Sequence, residues 1–478
     1  MGPGMGKEYM QALCDIWITG GEVVLPEYRA KLDIAVKGEK IIALAGPGRL
    51  GGAAQRVIDA RGLYIFPGAI DPHTHIQMKM SGLPKPGFDV TSVAAAFGGT
   101  TCLIDFAFVE EEEDIETALN RRRDEVEGKC AVDYSFHPRF RSFTLKQVPK
   151  VGAAVKYGVP SFGEIAMDDR HGVPADDAFL LNLFRETAAR RGISGMHAEN
   201  DSLVRFFIND LLAKGKGELK YFPASRPNIV EEEAVKRSIY LAEKTGAALY
   251  FFHLSSREAL LAVAAARKRR LPVYTETCPH YLAFNDSVYE QDFEKAIQFI
   301  RFPPIRTAAD QAALWQGVKD GTIDCIGTDH VAAFLEEKKV LSANKPFSEM
   351  PGGMAQVETR VGFLFSEGVA KGKISVNRFV ELISTNAARI FGLYPRKGII
   401  APGSDADLVL FDPKRLYKIT NGELHMGLDY TIYEGWTFTG AVIMTLCRGK
   451  VIMADGKYCG SLTDGKFQRR KIGREILR

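Results

Sequence analysis

From about residue 67 to about residue 398, short apolar runs alternate with longer amphipathic ones, and this alternation constrains the fold more than any other feature of the chain. Thr100 to Phe106, Ile193 to Ala198, Ala248 to Leu254, Pro272 to Thr277 and Thr322 to Gly327 read as strands. Ile115 to Val126, Phe179 to Arg190, Ile229 to Lys244 and Arg257 to Arg267 read as helices. Strands without a polar face must be covered on both sides, which helices between parallel strands achieve. Roughly 330 residues of such units fit one (β/α)8 barrel better than two dinucleotide-binding domains, because no GxGxxG follows a first strand. A barrel of this kind gathers its chemistry at the C-terminal ends of its strands.

The flanking segments have another texture. From Asp15 to Phe66, short β-rich runs (Ile16 to Thr19, Leu32 to Val36, Lys40 to Leu44, Tyr64 to Phe66) are broken by Gly-rich turns, and no helix is needed. The same texture returns in Asp407 to Phe411, Gly440 to Leu446 and Lys450 to Met453. The expected organisation is therefore a small β-sandwich made of residues 1–66 and 399–458, a barrel over 67–398, and a tail over 459–478. In that tail Arg469, Arg470 and Lys471 are adjacent, which predicts a solvated or subunit-clasping segment.

Composition narrows the class of function. A chain of 478 residues, 46% hydrophobic and 25% charged, can bury a large core. Net charge is +3 with the basic residues spread out, so nothing asks for nucleic acid or an anionic membrane, and a small-molecule substrate is expected. Met1 to Gly6 carry neither an apolar run nor a basic start, and no stretch reaches the roughly 18 to 20 apolar residues of a membrane span. A cytoplasmic location is the expectation. The seven cysteines are scattered without CxxC spacing, which predicts buried thiols, not a disulfide framework or a zinc knuckle.

Chemistry-bearing residues fall at strand ends. His73 and His75 form an HxH after an apolar run, and residues two apart on a strand face the same side, so both imidazoles can reach one cation. His197 follows the strand Ile193 to Met196, and His253 follows Ala248 to Phe252. Either alone reads as a rim histidine; together with the HxH they occupy the catalytic positions of a barrel. Asp329, in Gly327-Thr328-Asp329-His330, completes the set. An acid there can also cap a helix.

Several runs carry a resemblance. They are Pro67 to His75, Ala94 to Thr101, His197-Ala198-Glu199-Asn200, Ser225-Arg226-Pro227, Glu276 to Leu282, Pro303-Pro304-Ile305-Arg306, Gly353 to Arg360 and Gly398 to Leu408. In order and over nearly the whole chain, they resemble the hydantoinase, dihydropyrimidinase and allantoinase group of cyclic amidohydrolases. The resemblance implies a metal-dependent enzyme that opens a cyclic amide or ureide. It implies that His73 and His75 bind the more buried metal and His197 and His253 the second. Asp329 would ligate the first metal and shuttle the proton. Two divalent cations would activate a shared water and polarise the ring carbonyl. Zinc is the first expectation, with manganese, iron and cobalt accepting the same ligands. A homotetramer or dimer is also implied.

The chain departs from that pattern at the fourth strand. Hydantoinases carry a carboxylated lysine in a Ser-Phe-Lys run, whereas this chain reads Ser161-Phe162-Gly163-Glu164. Glu164 supplies an anionic carboxylate one residue on, so it is expected as the bridging ligand. On an ideal strand it points away from the side of residue 163, and reaching the metals requires a slip or bulge. A one-metal site and an inactive site are the alternatives, and Lys156 lies too far upstream to substitute easily. A tyrosine that the family places five residues later has no counterpart among Met167, Asp168, Asp169 and Arg170.

Other histidines are weighed separately. His280 stands in a Cys-Pro-His-Tyr run closer to allantoinases, with packing favoured over a substrate-binding role. His330 is expected just behind the ligands, and His137, His171 and His425 are expected at the surface or in structural positions. The family grips its ring largely through backbone, which here places substrate binding at Pro303, Gly352 and Gly353. Backbone recognition leaves little trace in side chains, so hydantoins, dihydropyrimidines, allantoin and a purine-type ring all stay open. Two other readings also stay open: a non-catalytic scaffold of the same family, and a deaminase of the wider superfamily.

Overall fold

The computed structural model describes residues 14–50, 54–77, 85–168 and 173–478. Parallel strands form two arcs of a barrel. One arc orders Asp133–Phe140, Thr100–Val109, Ala69–His75 and His330–Val331; the other runs Ser161–Ala166, Ile193–His197, Ala248–Phe251, Val273–Thr277 and Cys325–Ile326. All eight residues of Asp133–Phe140 and all seven of Ala69–His75 are buried, as a sheet covered on both faces requires. His137 ties the arcs together: its Nδ1 lies 2.7 Å from Ser161 Oγ and its Nε2 3.0 Å from the Pro72 carbonyl. It is a fully buried structural residue. His425 is exposed, stacks on Phe97 and pairs with Glu358 at 2.8 Å, and His171 lies outside the described residues.

Local sequence sets the helix ends. Asp114, Asp176, Asn200 and Ser256 each accept a backbone N–H of the first turn of the helix that follows, while Thr307 and Asp310 form a reciprocal capping box. These caps fall at the C-terminal end of the barrel, where each chain segment leaves a strand and turns back. No described helix is long and apolar enough to cross a membrane.

The two flanking segments share one sheet. Leu408–Lys418 pairs antiparallel with Tyr64–Pro67 in a seven-stranded sheet that also holds Glu22–Val24, Arg29–Lys31, Thr437–Cys447, Lys450–Ala454 and Lys457–Tyr458. A four-stranded sheet of Cys14–Thr19, Asp33–Lys37, Lys40–Ala45 and Ala54–Asp59 faces it. Ile18, Val23, Ile34, Ile65, Leu408 and Leu446 fill the space between them.

The tail is solvated only in part, because it packs against its own barrel at Gln468, Arg470, Ile472 and Ile476. Gln468 donates its backbone N–H to the Tyr134 carbonyl at 2.7 Å, and Arg470 N–H donates to Gly158 at 2.7 Å. The Arg470 side chain is buried, donating to Ser135 Oγ at 2.8 Å and to the Phe136 carbonyl, and Ile472 and Ile476 join the core beneath the barrel. Of the three adjacent cations Arg469 and Lys471 are exposed, and only Arg470 turns onto the carbonyls of the barrel floor. The cysteines are all free, with Cys102, Cys130, Cys278, Cys325 and Cys447 buried, Cys14 half-buried and Cys459 exposed.

Candidate active site

The expected ligand residues meet at the C-terminal mouth of the barrel, each brought there differently. His73 and His75 end the first barrel strand, and their rings are set by Phe252 against His73 at 4.6 Å and Phe106 stacked on His75 at 4.5 Å. His197 ends its strand directly. The strand before His253 stops at Phe251, and His253 takes φ 39°, a left-handed conformation that turns its ring inward. Asp329 also lies beyond its strand, which is only Cys325–Ile326, and has φ 49°. Such backbone costs on the order of 1–3 kcal/mol and concentrates at functional sites.

Glu164 reaches this group through a slip. The pairing of Ser161–Ala166 with Ile193–His197 shifts register between Phe162 and Ile165, which brings the Glu164 carboxylate to the inner face. At Gly163, where the resemblance would place a lysine, a Cβ would meet the Gly195 carbonyl at 2.6 Å and Phe252 at 2.8 Å. No larger side chain fits there without moving backbone.

The donor atoms form two groups with one common member. His73, His75, Glu164 and Asp329 make one; Glu164, His197 and His253 make the other. Glu164 Oε1 lies 3.4 Å from His73 Nε2, 3.0 Å from His253 Nε2 and 3.8 Å from His197 Nδ1, while Oε2 lies 3.6 Å from His75 Nε2. Asp329 Oδ1 lies 3.2 Å from His73 Nε2 and 3.0 Å from His75 Nε2.

Electrostatics favour a cation here. Burial holds His75 and His253 down to about 3, so both imidazoles are neutral and carry a lone pair. Burial also depresses His73, but the Glu276 carboxylate 2.5 Å from its Nδ1, together with Glu164, outweighs it and lifts the ring to about 9. Burial would raise the Glu164 carboxyl, but the imidazoles, His75 first, hold it well below the usual carboxylate range. The Nδ1 atoms of His75 and His253 are buried without a hydrogen-bond partner among the described residues. Imidazole nitrogens and carboxylates converging in one buried cluster form a donor set that divalent metal ions neutralise, so the residues present fit such a group.

Sequence reasoning missed the residues that hold this set. Glu276, fully buried, accepts from Tyr250 OH at 2.8 Å and from His253 N–H at 3.2 Å besides touching His73. It lay inside a quoted motif, at the end of a strand, which was signal enough. Arg301 pairs with the Asp329 carboxylate and donates to its carbonyl. Arg139 lies 4.0 Å from Glu164. Beyond His197, Glu199 at 3.1 Å and Asp168 at 3.7 Å are clasped by Arg226, at 2.5 and 3.0 Å. Asp168 thus stands in the stretch where no tyrosine is found; Asp169 and Arg170 lie outside the described residues.

A cavity of about 240 Å3 opens over the cluster, lined among others by His75, Glu164, His197, Arg301, Asp329, Gly352 and Gly353. Pro303 and His280 are not among its walls. The Pro303 carbonyl accepts the Tyr281 hydroxyl at 2.7 Å, and His280 is fully buried with Nδ1 2.7 Å from the Gln356 amide. His330, next to Asp329, accepts the backbone N–H of Gln356 at 3.2 Å and is packed behind the ligands.

Residues 64–452 match the model of the amidohydrolase family. A D-hydantoinase of Geobacillus stearothermophilus is 35% identical over 457 residues, 95% of this chain and 96% of the relative. A D-phenylhydantoinase of Escherichia coli is 36% identical over 460 residues, 95% of this chain and 98% of the relative. The crystal structure of dihydropyrimidinase from Brevibacillus agri superposes with a TM-score of 0.91 at 34% identity, covering 96% of this chain and 99% of that one. With sequence, fold and strand-end donors in agreement over nearly its full length, this chain belongs to the amidohydrolase family, alongside the hydantoinases.

Proposed function

We propose that the chain hydrolyses a C–N bond of a cyclic amide or ureide, using two divalent cations held by His73, His75, His197, His253 and Asp329 and bridged by Glu164. The observation that carries this reading is that Glu164 alone belongs to both donor groups. A carboxylate whose Oε1 lies 3.0 Å from His253 and 3.4 Å from His73, and whose Oε2 lies 3.6 Å from His75, reaches both groups as a bridging ligand would. Zinc is the first metal to test.

Bound there, the cations would supply a hydroxide equivalent from water near neutral pH and polarise the ring carbonyl. Asp329 takes the proton of the attacking water and delivers it to the ring nitrogen as the C–N bond breaks, leaving a carboxylate and an amine or ureido end. Arg301 fixes the Asp329 carboxylate for this transfer. Gly352 and Gly353 face the ring through their backbone, and Gly353 is held by Lys338, which donates to its carbonyl at 2.9 Å. Pro303 and His280 act from behind this wall. The reading extends to a homo-oligomer in the cytoplasm, a barrel over residues 67–398 and a β unit from 1–66 and 399–458.

The test is metal content per chain for wild type and Glu164→Gln, with ring-opening assays on hydantoins, dihydropyrimidines, allantoin and purine-type rings. Two metals falling to one or none, with turnover lost, supports the bridge. One metal in both proteins with turnover intact sinks it. A folded, metal-free oligomer without turnover would point to a scaffold, and ammonia release with the ring intact to a deaminase.

A further inference from the structure

His197 stands between two groups of donors and offers one ring nitrogen to each. Its Nδ1 faces the cluster, 2.8 Å from His253 Nε2 and 3.8 Å from Glu164 Oε1. Its Nε2 faces the other way, 3.1 Å from Glu199 Oε2 and 3.7 Å from Asp168 Oδ1. Asp168, His197 and Glu199 lie close enough together to hold a metal ion of their own. All three are buried, and Glu199 Oε1 has no hydrogen-bond partner among the described residues. Carboxylates taken out of water in this way need a counter-cation.

The fold supplies that cation as Arg226. Its Nη1 lies 2.5 Å from Glu199 Oε2 and 3.0 Å from Asp168 Oδ2. The buried guanidinium also lies over the ring of Phe302 at 4.8 Å, and Phe302 lines the cavity over the cluster. The Arg226 carbonyl accepts from Arg306, and Pro227 follows at once to open the helix Asn228–Thr245. Main chain and side chain are thus both anchored. A guanidinium, weakly hydrated and always charged, suits such a buried place better than an ammonium.

We infer that Arg226 is a positioning residue, a resident cation that keeps metal out of the group of Asp168, His197 and Glu199 and so commits His197 to the cluster through Nδ1. This rests on the two-cation reading of the cluster. With the arginine in place, Glu199 accepts the Nε2 proton and Nδ1 keeps the lone pair that a metal needs. Without it, the same carboxylates and Nε2 become ligands in their own right.

The test counts zinc per chain, after equilibration with excess zinc and removal of the free ion, in wild type, Arg226→Met and Arg226→Lys. Arg226→Met is expected to bind one zinc ion more than wild type, and Arg226→Lys, which keeps a cation, no more than wild type. An equal or lower count in Arg226→Met overturns the inference, and so does an extra ion in Arg226→Lys. Glu199→Gln keeps the arginine and the shape of the carboxylate, so it decides the matter if Arg226→Met fails to fold. Chelator competition should then show affinity for one of the two zinc ions lowered roughly ten- to hundredfold, with the other unchanged. Two unchanged affinities, or two lowered alike, overturn the inference. The two readings fail separately: fewer than two zinc ions in wild type breaks the two-cation reading, and the difference between wild type and Arg226→Met still decides this one.

Discussion

The fold buries acidic side chains at two places and treats them oppositely. At the seam between barrel and β unit, Lys397 Nζ lies 2.6 Å from Asp133, 2.5 Å from Asp407 and 3.1 Å from Asp405. Burial would lower this lysine, but Asp133 and Asp407 outweigh it and hold it well above its usual range. At the barrel mouth, Glu164 and Asp329 face the imidazoles of His73 and His75, with buried Arg301 paired to Asp329 and Arg139 4.0 Å from Glu164. Both places hold ligand types, since Asp133, Asp407 and Cys447 also lie close enough to hold an ion. The difference is the company the carboxylates keep: those of the seam close on a lysine, whereas those of the mouth share their space with imidazoles that can ligate a metal.

Breaking the open cluster should cost the most. Asp329→Asn is expected to lower ring opening by about 10²- to 10⁴-fold, the range of a lost acid–base group. Turnover within a few-fold of wild type would remove Asp329 from the proton path.

Breaking the closed cluster should act on stability instead. Lys397→Met takes the cation from buried Asp407, while Asp133 keeps Arg448 at 2.9 Å and Asp405 keeps Lys40 at 2.7 Å, and is expected to cost about 3–5 kcal/mol in denaturant unfolding. Turnover per folded molecule should survive. A loss of metal in this variant at unchanged stability would erase the distinction between the clusters.

Removing metal sharpens the same contrast. Chelation should lower stability by about 2.7 kcal/mol relative to protein held at a hundredfold excess of free metal over Kd. Zinc should restore both stability and turnover in buffer purged of carbon dioxide, because Glu164 needs no carboxylation. Dependence of reloading on bicarbonate would point to a carboxylated lysine elsewhere. The smallest effect is expected at Cys447. Cys447→Ala should leave metal content unchanged and cost about 1 kcal/mol, an ordinary core truncation.

How much of this was legible in the sequence follows from how local each feature is. The barrel and its β unit show through because apolar periodicity is local, and the HxH shows through because alternation on a strand needs no partner. The inward turns at His253 and Asp329 depend on left-handed backbone that neither residue type announces. The position of Glu164 depends on the register of the neighbouring strand, so the sequence could state only the condition, a slip, under which it would serve. Arg139, Arg301 and Glu276 act across strands remote in sequence, and Arg470 is buried by carbonyls of Phe136 and Phe391 that no charge pattern could reveal.

The shared seven-stranded sheet has a consequence for biosynthesis. Tyr64–Pro67 leaves the ribosome roughly 340 residues before its partner Leu408–Lys418, an interval on the order of half a minute at ordinary rates of translation. Through that interval Phe66, fully buried in the finished molecule against Phe379 and Phe411, lacks both of those partners. The floor of the barrel waits longer still, for Arg470 and Ile472. The nascent chain therefore carries an uncovered apolar edge through almost all of its synthesis, and its yield in a cell will follow the supply of chaperones that shield such edges.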